Sequence, residues 1–211
     1  MSDTLVAVTT CHRLRHRADA QRETWVPRLQ EQADIKFFIG WPSQTQRPDE
    51  IPLQTWDVYE RLPHKVQKVC QYALEHGYER LFKTDDDTYI YRLEKPTHSY
   101  VGRIRGASGK FSASYCSGFA YWLDRQAMEV IANAGEPNDF AEDRWVGNTL
   151  AQAGITPVEE SRYLIIGGNI NVVPHTRLLA VAELEPDKMK EVHARYLEQV
   201  QRKVERCSVT V

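Results

Sequence analysis

Short strand-like runs and longer helix-like stretches alternate through the first half of the chain, and that alternation restricts the fold more than any other feature. Residues 4–10 are rich in β-branched side chains, as a buried strand requires. Residues 19–32 read as a helix in which Pro27 marks a kink or break. Residues 35–39 (Ile-Lys-Phe-Phe-Ile) form a second strand, and residues 40–54, with three prolines, read as loop. From 63 to 76 the apolar residues Val66, Val69, Cys70, Ala73 and Leu74 recur at helical spacing, and Gly77 follows at the C-cap. Residues 80–83 are a third strand. A strand, a crossing helix and another strand, repeated, predict an α/β fold around a largely parallel sheet.

The second half is less regular. Residues 114–123 read as extended, with Gly118 inside, and Asp124 is placed to cap a helix over 125–133. A helix over 142–153 ends at Gly154. Residues 157–173 hold two short strand-like runs around Gly167 and Gly168, and Pro186 opens a long polar helix to about Arg206. With 211 residues, 42% of them hydrophobic and 27% charged, the chain supports one domain over 1–211 with a full core. A net charge of −2 speaks against an obligate nucleic-acid binder. Cys11, Cys70, Cys116 and Cys207 lack zinc-ligand spacing and read as reduced thiols. No run reaches the roughly 18 apolar residues of a membrane span, and no export segment precedes residue 5, so a cytoplasmic location is expected.

The most informative chemistry is Lys83-Thr84-Asp85-Asp86-Asp87-Thr88-Tyr89-Ile90. Three adjacent carboxylates after Leu81-Phe82 are costly unless solvated or paired with a cation. At the carboxyl end of a buried strand they stand where open α/β sheets bind ligands. Hard oxygen donors suit Mg²⁺ or Mn²⁺, which can bridge a diphosphate. The alternative is an acidic surface turn. A phosphatase Asp-x-Asp-x-Thr/Val motif fits Asp85 and Asp87 but not Tyr89.

Six segments, in order, resemble the β-1,3-glycosyltransferases of the galactosyltransferase and fringe type. They are Arg17-Ala18-Asp19-Ala20-Gln21-Arg22-Glu23-Thr24-Trp25, with Gln21 at a usual Ile; Asp57-Val58-Tyr59-Glu60-Arg61-Leu62-Pro63-His64-Lys65; and Phe82 through Ile90. Tyr115-Cys116-Ser117-Gly118-Phe119-Ala120-Tyr121, Glu142-Asp143-Arg144-Trp145-Val146-Gly147, and Pro186-Asp187-Lys188-Met189 with Val192-His193 complete the set. The resemblance implies a single GT-A type domain, with a Rossmann-like, mostly parallel central sheet flanked by helices. It also implies a nucleotide-diphosphate sugar donor (UDP-linked is favoured), a divalent cation (Mn²⁺ or Mg²⁺), and inversion at the anomeric carbon.

Carried over residue by residue, Asp87 is the first metal ligand, Asp85 serves metal or ribose, and Asp86 is donor-side or structural. Asp143 is the candidate general base; an acid in the first turn of a helix is its bland alternative. Arg17 and Arg22 suit a diphosphate, or else line a solvated helix face. Thr9 and Thr10 stand at the end of strand one, on the nucleoside side. Gly118, Trp145 and Glu142 are assigned to the sugar and acceptor side, with a strand bulge and a core tryptophan as the alternatives for Gly118 and Trp145. Relatives commonly carry a metal-binding His four residues before the proline of the last segment. Here that position is Ala182, followed by Glu183, and His175 is the nearest histidine. His175 is therefore the third candidate ligand, with Glu183 or a smaller ligand set as alternatives.

The acceptor expected is a cytosolic saccharide or glycoconjugate precursor. The same chemistry on a hydroxylated base of nucleic acid, or a non-catalytic module that binds nucleotide sugars or glycans, are the other readings. Residues 102–110, basic and glycine-rich, read as a mobile loop, solvated or touching acceptor phosphates.

Overall fold

β1 (Thr4–Thr9) is buried along its whole length, so both of its faces must be covered by other layers. Its side chains alternate accordingly: Val6 and Val8 belong to one hydrophobic core, Leu5 and Ala7 to another. The computed structural model describes residues 2–41, 47–106, 113–167 and 177–208. After β1 come α1 (Arg15–Glu23), α2 (Val26–Leu29), β2 (Asp34–Trp41), β3 (Glu50–Trp56), α3 (Leu62–Glu75), β4 (Arg80–Asp85), β5 (Tyr89–Ile90) and β6 (Tyr100–Arg105). Then follow β7 (Tyr115–Asp124), α4 (Arg125–Ala132), α5 (Glu142–Gln152), β8 (Val158–Glu159), β9 (Tyr163–Ile165), β10 (Ala180–Ala182) and α6 (Pro186–Ser208).

Seven strands form the main sheet in the order β3-β2-β1-β4-β7-β6-β8. All run parallel except β7, which is antiparallel to β4 and β6. Helices α3, α4 and α5 cover one face through Val66, Val69, Cys70, Met128, Ile131, Val146 and Leu150. The other face is covered by Trp25, Leu29, Met189 and Val192 and by a small sheet, β5-β10-β9. The expected α/β architecture, a mostly parallel central sheet flanked by helices, is therefore present. The strand order reverses between β1 and β4, because β2 and β3 build outward on one side of β1 and β4 lies on the other. A crevice opens at such a switch point beyond the carboxyl ends of the strands. Thr9, Thr10 and the acidic triplet occupy that position.

Several expectations need correction. Residues 50–56 are a strand, not loop: β3 is the sheet edge, where Pro52 is tolerated because its missing N–H faces no neighbour. The first helix begins at Arg15 and breaks at Thr24, not at Pro27. Thr24 turns its hydroxyl back to the Ala20 carbonyl at 2.6 Å, while Pro27 stands at the start of α2. Residues 100–105 are β6 rather than part of a mobile loop. A Cβ on Gly102 would lie 2.8 Å from Cys116 Cβ, so the glycine serves close strand packing. Residues 107–112 lie outside the described residues. Ahead of Gly167 stand two short strands, β8 and β9; the strand-like run expected after Gly168 falls in residues 168–176, which lie outside the described residues. The caps at Gly77 and Gly154 (φ 76° and 79°) and at Asp124, which accepts from Ala127 N, stand where the sequence puts them.

Candidate active site

The walls of the crevice are built from buried polar residues. Lys65 lies on the core stripe of α3 with its side chain 3% exposed. Its ammonium donates to Asp57 Oδ1 at 2.5 Å and to the Thr10 carbonyl at 2.7 Å. Asp57 also accepts from the backbone N–H groups of Gly40 (2.8 Å) and His12 (3.3 Å). A Cβ on Gly40 would stand 2.6 Å from that carboxylate, so only glycine fits there. On the other side Gln21, fully buried, donates through Nε2 to the carbonyls of Asp85 (2.9 Å) and Thr88 (2.8 Å), and the Trp25 indole N–H reaches Thr88 O at 3.1 Å. These contacts hold the turn that carries the triplet from both ends.

Within the triplet the three carboxylates are treated differently. Asp85 accepts from Thr9 Oγ1 (2.9 Å) and Lys83 Nζ (2.6 Å), both on Oδ1. Asp86 is 5% exposed and accepts from Thr10 Oγ1 at 2.7 Å, at the base of the crevice. Asp87 has weaker partners, the Thr88 hydroxyl at 3.5 Å on Oδ1 and the Arg17 guanidinium at 3.9 Å, which is itself bound to Glu185 at 2.5 Å. Burial and then neighbouring like charge raise two of these groups. Asp86 is pushed up to about 7, with the Thr10 hydroxyl opposing; Asp87 is pushed up to about 6, with Arg17 and Lys83 opposing.

Two connected hollows result. One, of about 320 Å³, is lined by Thr9, Thr10, Arg17, Asp57, Lys65 and the triplet. The second, of about 230 Å³, is lined by Asp85, Asp87, Gly118, Glu142, Asp143 and Glu183. Tyr59, Leu62, Asp85 and Asp87 border both. Asp143, in the first turn of α5, is half-buried and points one oxygen to its own helix, accepting from Arg144 N at 2.8 Å. Gly118 makes room for its neighbours: a Cβ there would lie 3.0 Å from Glu142 Oε2 and 3.6 Å from Asp143 Cβ.

The structure therefore brings together Thr9, Thr10, Arg17, Asp85, Asp86, Asp87, Gly118, Glu142 and Asp143. It places Arg22 elsewhere: that guanidinium is bound to Asp49, Asp19 and Glu50 and lies over the Phe37 ring. Trp145 is 4% exposed and packs into the core on the far side of α5. His175 lies outside the described residues. Ala182 is buried and lines the second hollow. Glu183, an exposed side chain on a backbone with φ 65°, stands at its mouth, where Leu184 N donates to Asp87 O at 3.0 Å.

Asp57, Tyr59, Lys65 and Lys83 stand inside the segments quoted from the sequence but were given no role there. Two of them carry a legible signal, since Lys65 falls on an apolar helix stripe and Lys83 inside a buried strand; lysine is rarely buried without a purpose-built partner.

A divalent cation fits the donor set in one mode. Among the described residues no three His, Cys, Asp or Glu side chains converge to hold a metal unaided. Asp85 and Asp87 instead match the arrangement in which one or two carboxylates share the ion with substrate phosphates and water.

No protein-family model matches the chain, and no curated protein matches it. Among solved structures the chain is similar to a glycosyltransferase involved in the glycosylation of the major capsid of PBCV-1. The TM-score is 0.52 at 10% identity, over 90% of this chain and 98% of that one. The likeness establishes a shared α/β fold. No helix among the described residues is long and apolar enough to cross a membrane.

Proposed function

We propose that the protein transfers a glycosyl group, with inversion, from a nucleotide-diphosphate sugar to a hydroxyl acceptor. UDP is the expected nucleotide, and Asp143 is the general base. The observation that carries this reading is that Asp143 and the pair Asp85 and Asp87 line one hollow, with Gly118 between strand and helix. An inverting transfer needs a carboxylate on one side of the anomeric carbon and charge neutralisation on the other. The resemblance to the fringe-type β-1,3-glycosyltransferases supports it further, because five of its six segments line the two hollows.

In this mechanism the nucleotide lies over the carboxyl end of β1, against Thr9 and Thr10. Arg17 turns from Glu185 to the diphosphate, where a planar guanidinium can make paired charge-assisted bonds. Asp85 and Asp87 would hold Mn²⁺ or Mg²⁺. The cation, when bound, neutralises charge developing on the departing diphosphate. Asp143 takes the proton of the acceptor hydroxyl as its oxygen attacks the anomeric carbon. The new C–O bond forms while the bond to the diphosphate breaks, and the nucleotide diphosphate leaves with the electron pair. Asp86 keeps the floor of the site in place through Thr10. The acceptor expected is a saccharide or glycoconjugate precursor in the cytoplasm.

The test is a panel of UDP-sugars with Mn²⁺ or Mg²⁺, scored by thermal shift, since a ligand bound to the folded state raises its stability. A metal-dependent shift with one UDP-sugar is expected, and no shift with any donor and metal contradicts the reading. A donor that binds without any turnover favours the binding-module alternative.

A further inference from the structure

Lys83 is a lysine inside the central sheet, with its side chain 2% exposed. Its ammonium has three protons and meets three acceptors: Asp85 Oδ1 at 2.6 Å, the Gly118 carbonyl at 2.5 Å and Glu142 Oε2 at 3.2 Å. Glu142 is 6% exposed, and its other oxygen accepts from the buried Tyr121 hydroxyl at 2.5 Å. Both Glu142 oxygens are thus engaged inside the protein. Burial pushes the Glu142 carboxyl up to about 7, with Lys83 and the Tyr121 hydroxyl opposing; burial works against the Lys83 charge too, but there Asp85 and Glu142 outweigh it and hold the ammonium protonated. On the other side of the ammonium, Asp85 has one oxygen occupied by Lys83 and Thr9, while the partners of Asp87 are more distant, the Thr88 hydroxyl at 3.5 Å and Arg17 at 3.9 Å.

We propose that Lys83 and Glu142 act as paired positioning residues that set the charge of the cation site. Lys83 fixes one oxygen of Asp85 and so leaves Asp87 as the principal ligand. Glu142 is the buried counter-charge that offsets the repulsion of Lys83 toward the cation. Because Lys83 lies on β4 and Glu142 opens α5, the pair ties the strand bearing the triplet to the helix bearing Asp143, and the Gly118 carbonyl joins β7 to the same ammonium. Glu142 is then a strut between the two halves of the site and not a contact to the acceptor. The inference rests on the glycosyl-transfer reading, in which a divalent cation is held at Asp85 and Asp87.

The electrostatic signs give a test that a purely supportive role does not pass. Mn²⁺ affinity is measured on the whole chain by the electron paramagnetic resonance signal of the free ion, for the wild type, Lys83→Met, Glu142→Gln and the double variant. Folding of each is checked by circular dichroism. Lys83→Met removes a positive charge beside the cation and is expected to tighten Mn²⁺ binding by roughly tenfold; Glu142→Gln removes a negative charge and is expected to weaken it by a similar factor. The double variant restores the balance and is expected within about threefold of the wild type. UDP release should fall in both single variants, since each unties the strand from the helix. Weakening in both single variants, or no change in either, overturns the inference while leaving the proposed function intact. Absence of Mn²⁺ binding to the wild type overturns both. If Lys83→Met does not fold, the double variant must still bind more tightly than Glu142→Gln, and equal or weaker binding overturns the inference.

Discussion

Replacing Gly118 by alanine separates two roles for that glycine. If it exists to let a sugar approach the backbone, the added methyl group meets only ligand, and the free protein is indifferent to it. The structure gives it a different burden. The new Cβ would lie 3.0 Å from Glu142 Oε2 and 3.8 Å from Lys83 Nζ. Glu142 cannot easily retreat, because Tyr121 holds one oxygen at 2.5 Å and Lys83 the other at 3.2 Å. Relief of a few tenths of an ångström must come from this network or from the start of α5. Overpacking of this kind costs about 1–3 kcal/mol, which in a chain of this size lowers Tm by roughly 2–4 °C per kcal/mol. The assay is thermal unfolding of the ligand-free protein, with UDP release measured in parallel. A fall in Tm by at least about 2 °C is expected, with kcat reduced more than the donor KM is raised, because displacement of Asp143 misplaces the base. An unchanged Tm with a raised KM alone would refute the packing argument and restore the sugar-approach role.

Lys65→Met leaves Asp57 largely buried beside Gly40 without its ammonium, and stability in urea should fall by about 3–5 kcal/mol; an unshifted midpoint contradicts the role of Lys65 as a wall of the crevice. Below pH 6.5 the protein should lose stability through His193. Burial, and then Arg28, hold its folded-state pKa below the ordinary 6.5, while its Nδ1 lies 2.9 Å from the Tyr89 hydroxyl. The unfolded chain therefore takes up the proton first, and stability drops as pH falls from 6.5 toward the lower folded-state value. His193→Gln should flatten that part of the pH profile measured by urea midpoints, and an identical profile would exclude His193 as the source.

How far the site can be read from sequence depends on where each residue's partner comes from. The triplet, Thr9, Thr10, Gly118 and Asp143 are legible because each stands at the end of a strand or the start of a helix, where local pattern fixes position. Arg22 misleads because two of its partners, Glu50 and Asp49, lie at the start of the distant edge strand β3 and just before it, a strand that Pro52 disguises as loop. Trp145 misleads because Glu142 and Asp143 share its helix, while the turn of α5 sends the indole to the opposite, core-facing side. The contacts of Glu142 to Lys83 and Tyr121 are long-range, so the sequence alone does not show them. Strand β6 is hidden by Gly102, whose packing against Cys116 is likewise a long-range fact.

The most direct measurement of the central claim compares wild type with Asp143→Asn for release of UDP from the best-bound UDP-sugar, with Mn²⁺ and with chelator. Wild type with Mn²⁺ should release UDP, chelator should abolish release, and Asp143→Asn should lose at least about a hundredfold in turnover, the usual worth of a general base, with donor affinity unchanged. Full turnover by Asp143→Asn, or release that ignores the chelator, would contradict the assignment of Asp143 and of the Asp85 and Asp87 cation site.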